Sequence, residues 1–336
     1  MTPGPTHYAT AHITTVQSCF DLFITEEIIQ LLLENTNLQG RRSVTDWIDF
    51  DSTDIQAYIG LLILAGVYRS RNKSTRSLWD VENVRSIFRA TVSHRKFNLL
   101  SSTLRFDDRM TRPARYMHDK LAAFQTIWEK WTHRFSLLFN PGQDVSVDEQ
   151  LVPFKGRCKF RQYMPSKPAK YGIKIWVTCD VTTSYAWKFA NIHGEVSWKS
   201  CGGEPRKNGR SGNDGAAPGE NRDLKKKKIT SYKLAEELLK RKMALVGTIR
   251  RNKQELPPQL LQIKQRALLS SLFAFTKTHT AVSYVPKHGK NVLLLSTNHR
   301  EPAVSDTEKK KPVIITDYNH CKGGVDNLDK VVGTNS

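Results

Sequence analysis

Two acidic segments, far apart in the chain, hold the residues whose types could do chemistry. Residues 144–150 read DVSVDEQ in a run that alternates like a strand, and residues 322–329 read KGGVDNLD near the end of the sequence. Carboxylates that a fold brings together from distant segments are the platform that two divalent cations need for phosphodiester chemistry. Asp326 and Asp329 are three residues apart, so a helix over 325–332 would present both on one side. These segments predict a carboxylate site that needs a further acidic residue from the middle of the chain.

The charge of the chain narrows the class of partner. The 336 residues include 52 Lys and Arg against 32 Asp and Glu, a formal net charge of +20. This excess predicts a polyanionic partner, most simply nucleic acid, and the alternative is a solvated basic surface. No apolar run approaches the roughly 18 residues of a membrane span, so we expect no membrane partner. The cysteines are scattered without a Cys-x-x-Cys pair, which favours a reduced intracellular protein without structural zinc.

The first 140 residues have helical periodicity. Apolar residues recur at helical spacing over 20–36, near 97–104 and over 120–139. A further helix is predicted to start at a capping box over Thr53–Gln56 and to continue through the apolar run to Val67. The segment over 120–139 has an aromatic stripe that we interpret as core packing rather than a base-stacking surface. A basic cluster after the second helix either contacts phosphates or solvates a loop. Its members are Arg69, Arg71, Lys73 and Arg76.

From residue 141 the pattern changes to that of strands. Residues 145–151, 172–180 and 184–189 are rich in alternating apolar and β-branched residues, which predicts an antiparallel start to a sheet. The loop between the first two strands would place cations close to Asp148. Its basic residues include Lys155, Arg157, Lys167 and Lys170.

The middle of the chain has a different composition. Residues 194–228 are rich in Gly, Asn, Lys and Arg and poor in apolar residues, which is typical of a linker or of disorder. Beyond this segment we predict a helix capped by Thr230 and then a buried strand over 243–249, a combination that argues for an α/β layer. Residues 280–296 have the pattern of a hairpin, and residues 312–318 the pattern of a strand.

Several of these motifs resemble piggyBac-type DNA transposases, in the order in which that family contains them. The matching segments are 104–108 (LRFDD), 146–157 (SVDEQLVPFKGR), 165–168 (PSKP), 230–235 (TSYKLA), 246–253 (VGTIRRNK) and 322–326 (KGGVD). The resemblance covers most of residues 10–333, with a gap near 190–228. The family's cysteine-rich zinc-binding end has no counterpart in this sequence, so we expect part of the recognition of transposon ends to be missing.

The resemblance implies a catalytic domain in which three aspartates hold two Mg²⁺ ions. By motif, Asp148 and Asp326 are the first and third catalytic aspartates and metal ligands, and Asp329 is a supporting carboxylate. The position of the second aspartate falls at Lys226, and Asp223 is a weak substitute nearby. An incomplete set of aspartates weakens the expected binding of Mg²⁺.

The expected fold class is α/β. The resemblance implies a ribonuclease H-like catalytic domain, a mixed sheet with helices, that is preceded by an all-α N-terminal domain and interrupted by a small β-containing insertion. The predicted boundaries are 1–140 for the helical dimerisation and DNA-binding domain, 141–252 with 312–336 for the ribonuclease H-like domain, 253–311 for the insertion, and 190–228 as a disordered or aberrant stretch. Further cations expected to contact DNA follow the strand over 243–249: Arg250, Arg251 and Lys253.

The sequence therefore predicts a DNA-binding protein descended from a cut-and-paste DNA transposase and catalytically inactive. A nuclear location and a homodimer are the corresponding expectations. One alternative is an active Mg²⁺-dependent transposase that uses Asp148, Asp326 and a substitute carboxylate. The other alternative is a protein-interaction scaffold that does not bind DNA.

Overall fold

The chain has a mixed α/β fold with two compact units. The computed structural model describes residues 2–70, 73–80, 86–158, 160–165, 167, 169–190 and 230–334. Unit 1 comprises Met1–Val196 and Lys322–Ser336, and unit 2 comprises Ser197–Cys321. Among the described residues, no helix is both long enough and apolar enough to cross a membrane.

The helices and strands follow one another in a fixed order. The helices are α1 (His7–His12), α2 (Val16–Phe23), α3 (Glu26–Ser43), α4 (Ser52–Val67), α5 (Ile87–Thr91), α6 (His94–Thr103), α7 (Arg112–Arg115), α8 (Gln125–Leu138), α9 (Tyr232–Lys240), α10 (Pro258–Leu261), α11 (Val313–Cys321) and α12 (Gly323–Thr334). The strands are β1 (Gly4–Pro5), β2 (Phe139–Asn140), β3 (Val145–Pro153), β4 (Arg161–Tyr163), β5 (Tyr171–Asp180), β6 (Ala186–Ala190), β7 (Val246–Thr248), β8 (Ser271–Phe275), β9 (Thr280–Lys287) and β10 (Lys290–Ser296).

The single helix predicted over 20–36 is two helices, so this prediction is wrong. Ile24 ends α2 and Thr25 begins α3 with an extended backbone. Glu26 and Glu27 then occupy the first turn of α3, where carboxylates stabilise the positive end of the helix dipole. Apolar periodicity continues through this break, and for that reason the pattern alone concealed it.

The apolar helix α4 is buried on one face only. Its capping box joins Asp51 and Asp54, two residues before the predicted Thr53–Gln56 pair. Ile55 and Leu61 lie in the core of the N-terminal helices. Other apolar side chains of the same helix are exposed: Leu62, Ile63 and Val67.

The sheet of unit 1 is antiparallel, as predicted. β5 pairs with β3 along its whole length, and β4 and β6 pair with the two halves of its other edge. The aromatic stripe of α8 packs on this sheet: the Trp128 and Phe135 rings lie 5.7 and 5.0 Å from the Phe189 ring, between centroids. Core packing of the stripe is therefore confirmed. The short strand β4 lies inside the basic segment that had been predicted as a loop.

Unit 2 contains an antiparallel sheet with the strand order β7-β10-β9-β8. The predicted hairpin is formed by β9 and β10, and Gly289 turns it with a φ of +71°, a conformation that glycine adopts without strain. Ser231, rather than Thr230, caps α9 by accepting a hydrogen bond from the Leu234 N–H at 3.2 Å. The strand predicted over 312–318 is the helix α11, with Ile314 and Ile315 buried.

Candidate functional site

Asp148 lies in the middle of β3, on the face of the sheet that packs against α8 and α12. It is opposite Val177 of β5, and the alternation of side chains along a strand places it on the same face as Ser146 and Gln150. Ser146 and Gln150, the next side chains on this face, are buried, whereas Asp148 itself is exposed. Its Oδ1 accepts a hydrogen bond from the Glu149 N–H at 2.8 Å. The sheet thus presents this carboxylate to solvent from a rigid strand.

The helix α12 packs on the same face because Gly324 has no side chain. A Cβ atom at Gly324 would lie within 3.0 Å of Ser146 Oγ, closer than real Cβ atoms approach, and 3.3 Å from the Cys179 Cβ. Val325 is buried beside Val177 in the core of the sheet. The glycine of the KGGVD motif therefore allows the close approach that brings Asp326 and its helix to β3.

Lys167 connects β3 to α12 through its ammonium group. Its Nζ donates a hydrogen bond to the carbonyl oxygen of Glu149 at 3.0 Å, and lies 3.3 Å from Asp329 Oδ2. A turn presents this lysine, since the Lys167 N–H donates to the Met164 carbonyl at 3.1 Å. The predicted proximity of the basic segment to the acidic site is thus observed for Lys167.

The pKa of Asp148 reflects the surrounding protein atoms and charges of the site. Displacement of solvent by surrounding protein atoms raises the pKa of Asp148, although the residue as a whole remains exposed. The Glu149 N–H and the Lys167 ammonium oppose this rise, and repulsion from the Glu149 and Asp326 carboxylates adds to it. Asp148 and Asp326 are therefore near enough to interact.

The thiol of Cys179 lies on the same face and is fully buried. Burial, together with the negative charge of Asp329 and Asp180, raises the pKa of Cys179 to about 12. The thiol is therefore protonated at neutral pH, as expected for a cysteine that fills the core.

The described residues do not by themselves fit a two-metal centre. The resemblance to DNA transposases implies divalent metal ions, which the chemistry of phosphodiester cleavage generally requires. In the part of the chain that the structure describes, no group of three or more His, Cys, Asp and Glu side chains is arranged to hold a metal ion. Asp329 faces the Lys167 ammonium. Lys226 and Asp223, the positions predicted for the second aspartate and its substitute, lie outside the described residues.

Other predicted DNA-contacting residues of unit 1 are exposed. Within the described ranges, no carboxylate forms an ion pair with Lys155, Arg157 or Lys170. The basic cluster after α4 is also exposed, at Arg69, Lys73 and Arg76, and Arg71 lies outside the described residues. Arg69 has a φ of 50°, which follows from its position just beyond the C-terminus of α4.

The remaining predicted cations lie in unit 2, directly after β7. Arg250 and Lys253 are half-buried. Arg251 is exposed and donates a hydrogen bond to the Leu261 carbonyl at 2.9 Å. Part of the hydrogen-bonding capacity of Arg251 is thus used within the protein.

Sequence reasoning missed the structural role of Asp180 at the end of β5. Its carboxylate accepts hydrogen bonds from the Gly142 N–H at 2.7 Å, the Thr183 N–H at 2.8 Å and the Thr183 hydroxyl at 2.6 Å. Burial opposes its ionisation, but these hydrogen bonds prevail and hold the pKa of Asp180 below its usual value. The Asp-x-x-Thr spacing at a strand end, typical of an Asx turn, is the signal that could have found it.

Comparisons with known proteins show the family of the chain. The family model described as Transposase IS4 matches residues 15–217 and 218–334. A solved structure, the cryo-EM structure of a piggyBac transposase synaptic complex with hairpin DNA, is 29% identical with a TM-score of 0.84 over 99% of this chain and 71% of that chain. A curated relative, human PiggyBac transposable element-derived protein 3, is 25% identical over 186 residues, or 53% of this chain and 30% of the relative. The human chimeric ERCC6-PGBD3 protein is also 25% identical over 186 residues, which span 17% of its length.

The carboxylate-bearing sheet, the helix that closes it and these matches define a protein of the transposase class. The chain belongs to the Transposase IS4 family, and its relatives are of the piggyBac type. It spans less than a third of the length of the curated relatives that it matches.

Proposed function

We propose that this chain is a DNA-binding protein of piggyBac transposase descent that does not cleave DNA. The observation that supports this most is the pairing of the Lys167 ammonium with Asp329 inside the acidic site. A cation held there by the protein competes with the divalent ions that cleavage requires. The lysine at position 226, where the family motif has its second aspartate, also supports the absence of DNA cleavage.

Several observations support binding to DNA. The net charge of +20 favours association with a polyanion. The exposed Lys155, Arg157 and Lys170 have no carboxylate partner among the described residues, so they are available to phosphates. The similar solved structure is that of a synaptic complex with hairpin DNA. Contacts to phosphates give affinity that is largely independent of sequence and falls with salt.

The finer parts of the assignment belong to the same proposal. We infer that β3, β5, β6 and α12 form the ribonuclease H-like part, that the N-terminal helices form an all-α domain, and that the protein is located in the nucleus. Self-association as a homodimer is a further part of the proposal. These parts of the proposal rest on the family relationship, and the nuclear location also rests on the nucleic-acid partner that the charge predicts.

Fluorescence anisotropy with labelled duplex DNA tests the binding. The logarithm of the affinity should fall linearly with the logarithm of salt concentration. Replacing Lys155, Arg157 and Lys170 together by alanine should reduce the magnitude of this slope by about 3, because each lost phosphate contact contributes about 0.9. The triple alanine variant at the exposed Lys277, Lys287 and Lys290 of unit 2 removes the same charge and should change the slope less. Absence of salt-dependent binding would favour the scaffold alternative.

A cleavage assay tests the inactivity. Labelled duplex and hairpin DNA containing the terminal repeats of a related element should remain intact with Mg²⁺ or Mn²⁺. The matched control is Asp148→Asn, which should give the same background. Metal-dependent nicking by the wild-type protein that Asp148→Asn removes would overturn the inactivity and establish the transposase alternative.

A further inference from the structure

Three aromatic side chains form a row across the end of the unit 1 sheet. Tyr163 of β4 pairs with Tyr171 of β5, and their ring centroids are 4.9 Å apart. On the other edge of β5, the Phe154 N–H donates to the Tyr171 carbonyl at 3.3 Å. Pairing across neighbouring strands puts the three side chains on one face. We call Phe154, Tyr171 and Tyr163 the aromatic row.

The aromatic row is exposed, in contrast to the aromatic stripe of α8. Phe154, Tyr171 and Tyr163 have 37%, 51% and 56% of their surface open to solvent. In the part of the chain that the structure describes, these rings are therefore not core. The Phe154 ring lies over Gly156, where a Cβ would come within 2.6 Å of the ring. The absence of a side chain at Gly156 thus leaves room for the outer edge of this ring.

The segment that carries the aromatic row is basic, and two of its cations are already paired with carboxylates: Lys167 with Asp329 and Lys174 with Glu149. Residues 150–179 contain seven Lys and Arg and no Asp or Glu. The Arg161 guanidinium lies 5.3 Å from the centre of the Tyr171 ring, and donates to the carbonyls of Lys155 and Gly156 at 3.0 and 3.2 Å. Exposed rings beside a fixed arginine, in a segment that contains no Asp or Glu, suit a partner that has both aromatic faces and negative charge.

The geometry points to the aromatic row as a stacking platform for unpaired nucleotides of a DNA strand. Bases stack on exposed rings irrespective of sequence, and the neighbouring cations contact the phosphates between them. The charge of the segment favours this occupant over an apolar protein surface, which would leave the cations unpaired. This inference rests on the proposed binding to DNA and adds the form of DNA that the surface takes.

The position of the aromatic row relates it to the acidic site. Phe154 directly follows β3 and is six residues beyond Asp148 on the same face of the sheet, which is about 20 Å at the rise of an extended strand. That length corresponds to about six nucleotides at the rise of one strand of B-DNA. A strand whose phosphates pass the acidic site could thus place its unpaired bases on the aromatic row.

Binding of a labelled single-stranded oligothymidylate to the full chain tests this inference. Tyr163→Leu and Tyr171→Leu remove the rings but keep apolar bulk, and each should weaken single-strand binding on the order of tenfold. Tyr163→Phe and Tyr171→Phe keep the rings and should bind as the wild type does. Tyr8→Leu, at another exposed tyrosine of the same unit, should have no effect. Thermal unfolding of each variant verifies that it is folded.

A second measurement does not depend on the variants. Oligothymidylate with 5-iodouracil substituted for thymine crosslinks on irradiation to aromatic side chains that stack on it. Peptide mapping of the wild-type protein should find the crosslink within residues 154–171. Crosslinks elsewhere, or leucine variants with unchanged single-strand affinity, would overturn the inference.

Duplex DNA is measured in parallel so that the two proposals can fail separately. If duplex binding depends on salt but the leucine variants bind single strands as the wild type does, the proposed function is retained. The stacking platform is then refuted. Failure of the wild-type protein to bind either form at low salt would remove the proposed function itself, and the platform with it.

Discussion

Lys167 and Asp329 are 162 residues apart in the chain, and the Lys167 Nζ lies 3.3 Å from the Asp329 Oδ2. The same ammonium donates to the Glu149 carbonyl, so a single positive charge joins the strand and the helix that present the acidic side chains. Only 23% of the lysine side chain and 29% of the aspartate side chain are exposed, and solvent therefore screens this pair only in part.

Lys167→Met should destabilise the protein and make its stability depend on divalent cations. The free energy of unfolding should fall by about 1–2 kcal/mol, the contribution of a charged hydrogen bond discounted for partial exposure. Without the ammonium, the repulsion among Asp148, Asp326 and Asp329 is relieved by a bound cation, so millimolar MgCl₂ should raise the unfolding midpoint of the variant more than that of the wild type. Lys170→Met, at an exposed neighbour, is the control and should stay within about 0.5 kcal/mol. Equal responses of all three proteins to Mg²⁺ would contradict the prediction.

Gly324→Ala should destabilise the packing of α12 on the sheet. The added methyl group would overlap Ser146 Oγ and press on Cys179, so the helix must shift, at a cost of about 1–3 kcal/mol. Gly323→Ala is a matched control one residue earlier, where a Cβ meets nothing within 4 Å. That variant should be neutral or stabilised by up to about 1 kcal/mol, because alanine favours a helix over glycine. Chemical denaturation of both variants measures the difference, and a similar loss in both would refute the role of Gly324.

Asp180→Asn should lower stability at neutral pH by about 1–3 kcal/mol, because an amide cannot accept all the hydrogen bonds that reach the carboxylate. The folded pKa of Asp180 lies below its unfolded value, so the wild-type carboxylate contributes stability that is fully present above the unfolded pKa. That contribution is lost as the pH falls below about 4 and then through the folded pKa. Unfolding midpoints of the two proteins should therefore converge in acid.

The control for this experiment is Asp144→Asn, at an exposed carboxylate directly before β3, whose backbone carbonyl accepts a hydrogen bond from the Val181 N–H. It should lose little stability at neutral pH. A constant difference between wild type and Asp180→Asn down to strongly acidic pH would show that ionisation of Asp180 does not contribute.

Cys179 should be inert to thiol reagents in the folded protein. Its side chain is fully buried, and its pKa near 12 leaves almost no thiolate at about pH 8. Alkylation followed by peptide mapping should modify the half-buried Cys19, Cys158 and Cys321 before Cys179, and Cys179 only in denaturant. Rapid labelling of Cys179 under native conditions would mean that α12 opens readily from the sheet.

The sequence predicted those parts of the fold that follow from local pattern. Alternation and turn residues were enough for β3, β5 and the β9–β10 hairpin, and the short helix predicted over 325–332 is found within α12. Residues 312–318 were predicted as a strand because β-branched residues dominate them. They form the helix α11 because Ile314, Ile315 and Tyr318 are spaced to pack on one side of a helix.

The site was predictable in its residues but not in its contacts. Motif resemblance indicated Asp148 and Asp326, and the structure places them within electrostatic reach of one another, while their catalytic role stays a prediction. Lys167 pairs with Asp329 because of the way in which α12 packs on β3, and no local sequence pattern predicts that packing. The exposure of Tyr163 and Tyr171 was missed for a similar reason, since β4 lies in a segment whose basic composition favours a loop.

Unit 1 begins near residue 1 and is completed only by residues after Cys321. During synthesis, the nascent chain therefore extends through all of unit 2 before Val325 leaves the ribosome to cover Ile175 and Val177. Until then the apolar face of the sheet lacks this cover, which is the condition under which partly folded chains associate or recruit chaperones. A stop codon or frameshift anywhere upstream of Val325 would leave that face permanently uncovered, and we expect the truncated product to aggregate or to be degraded.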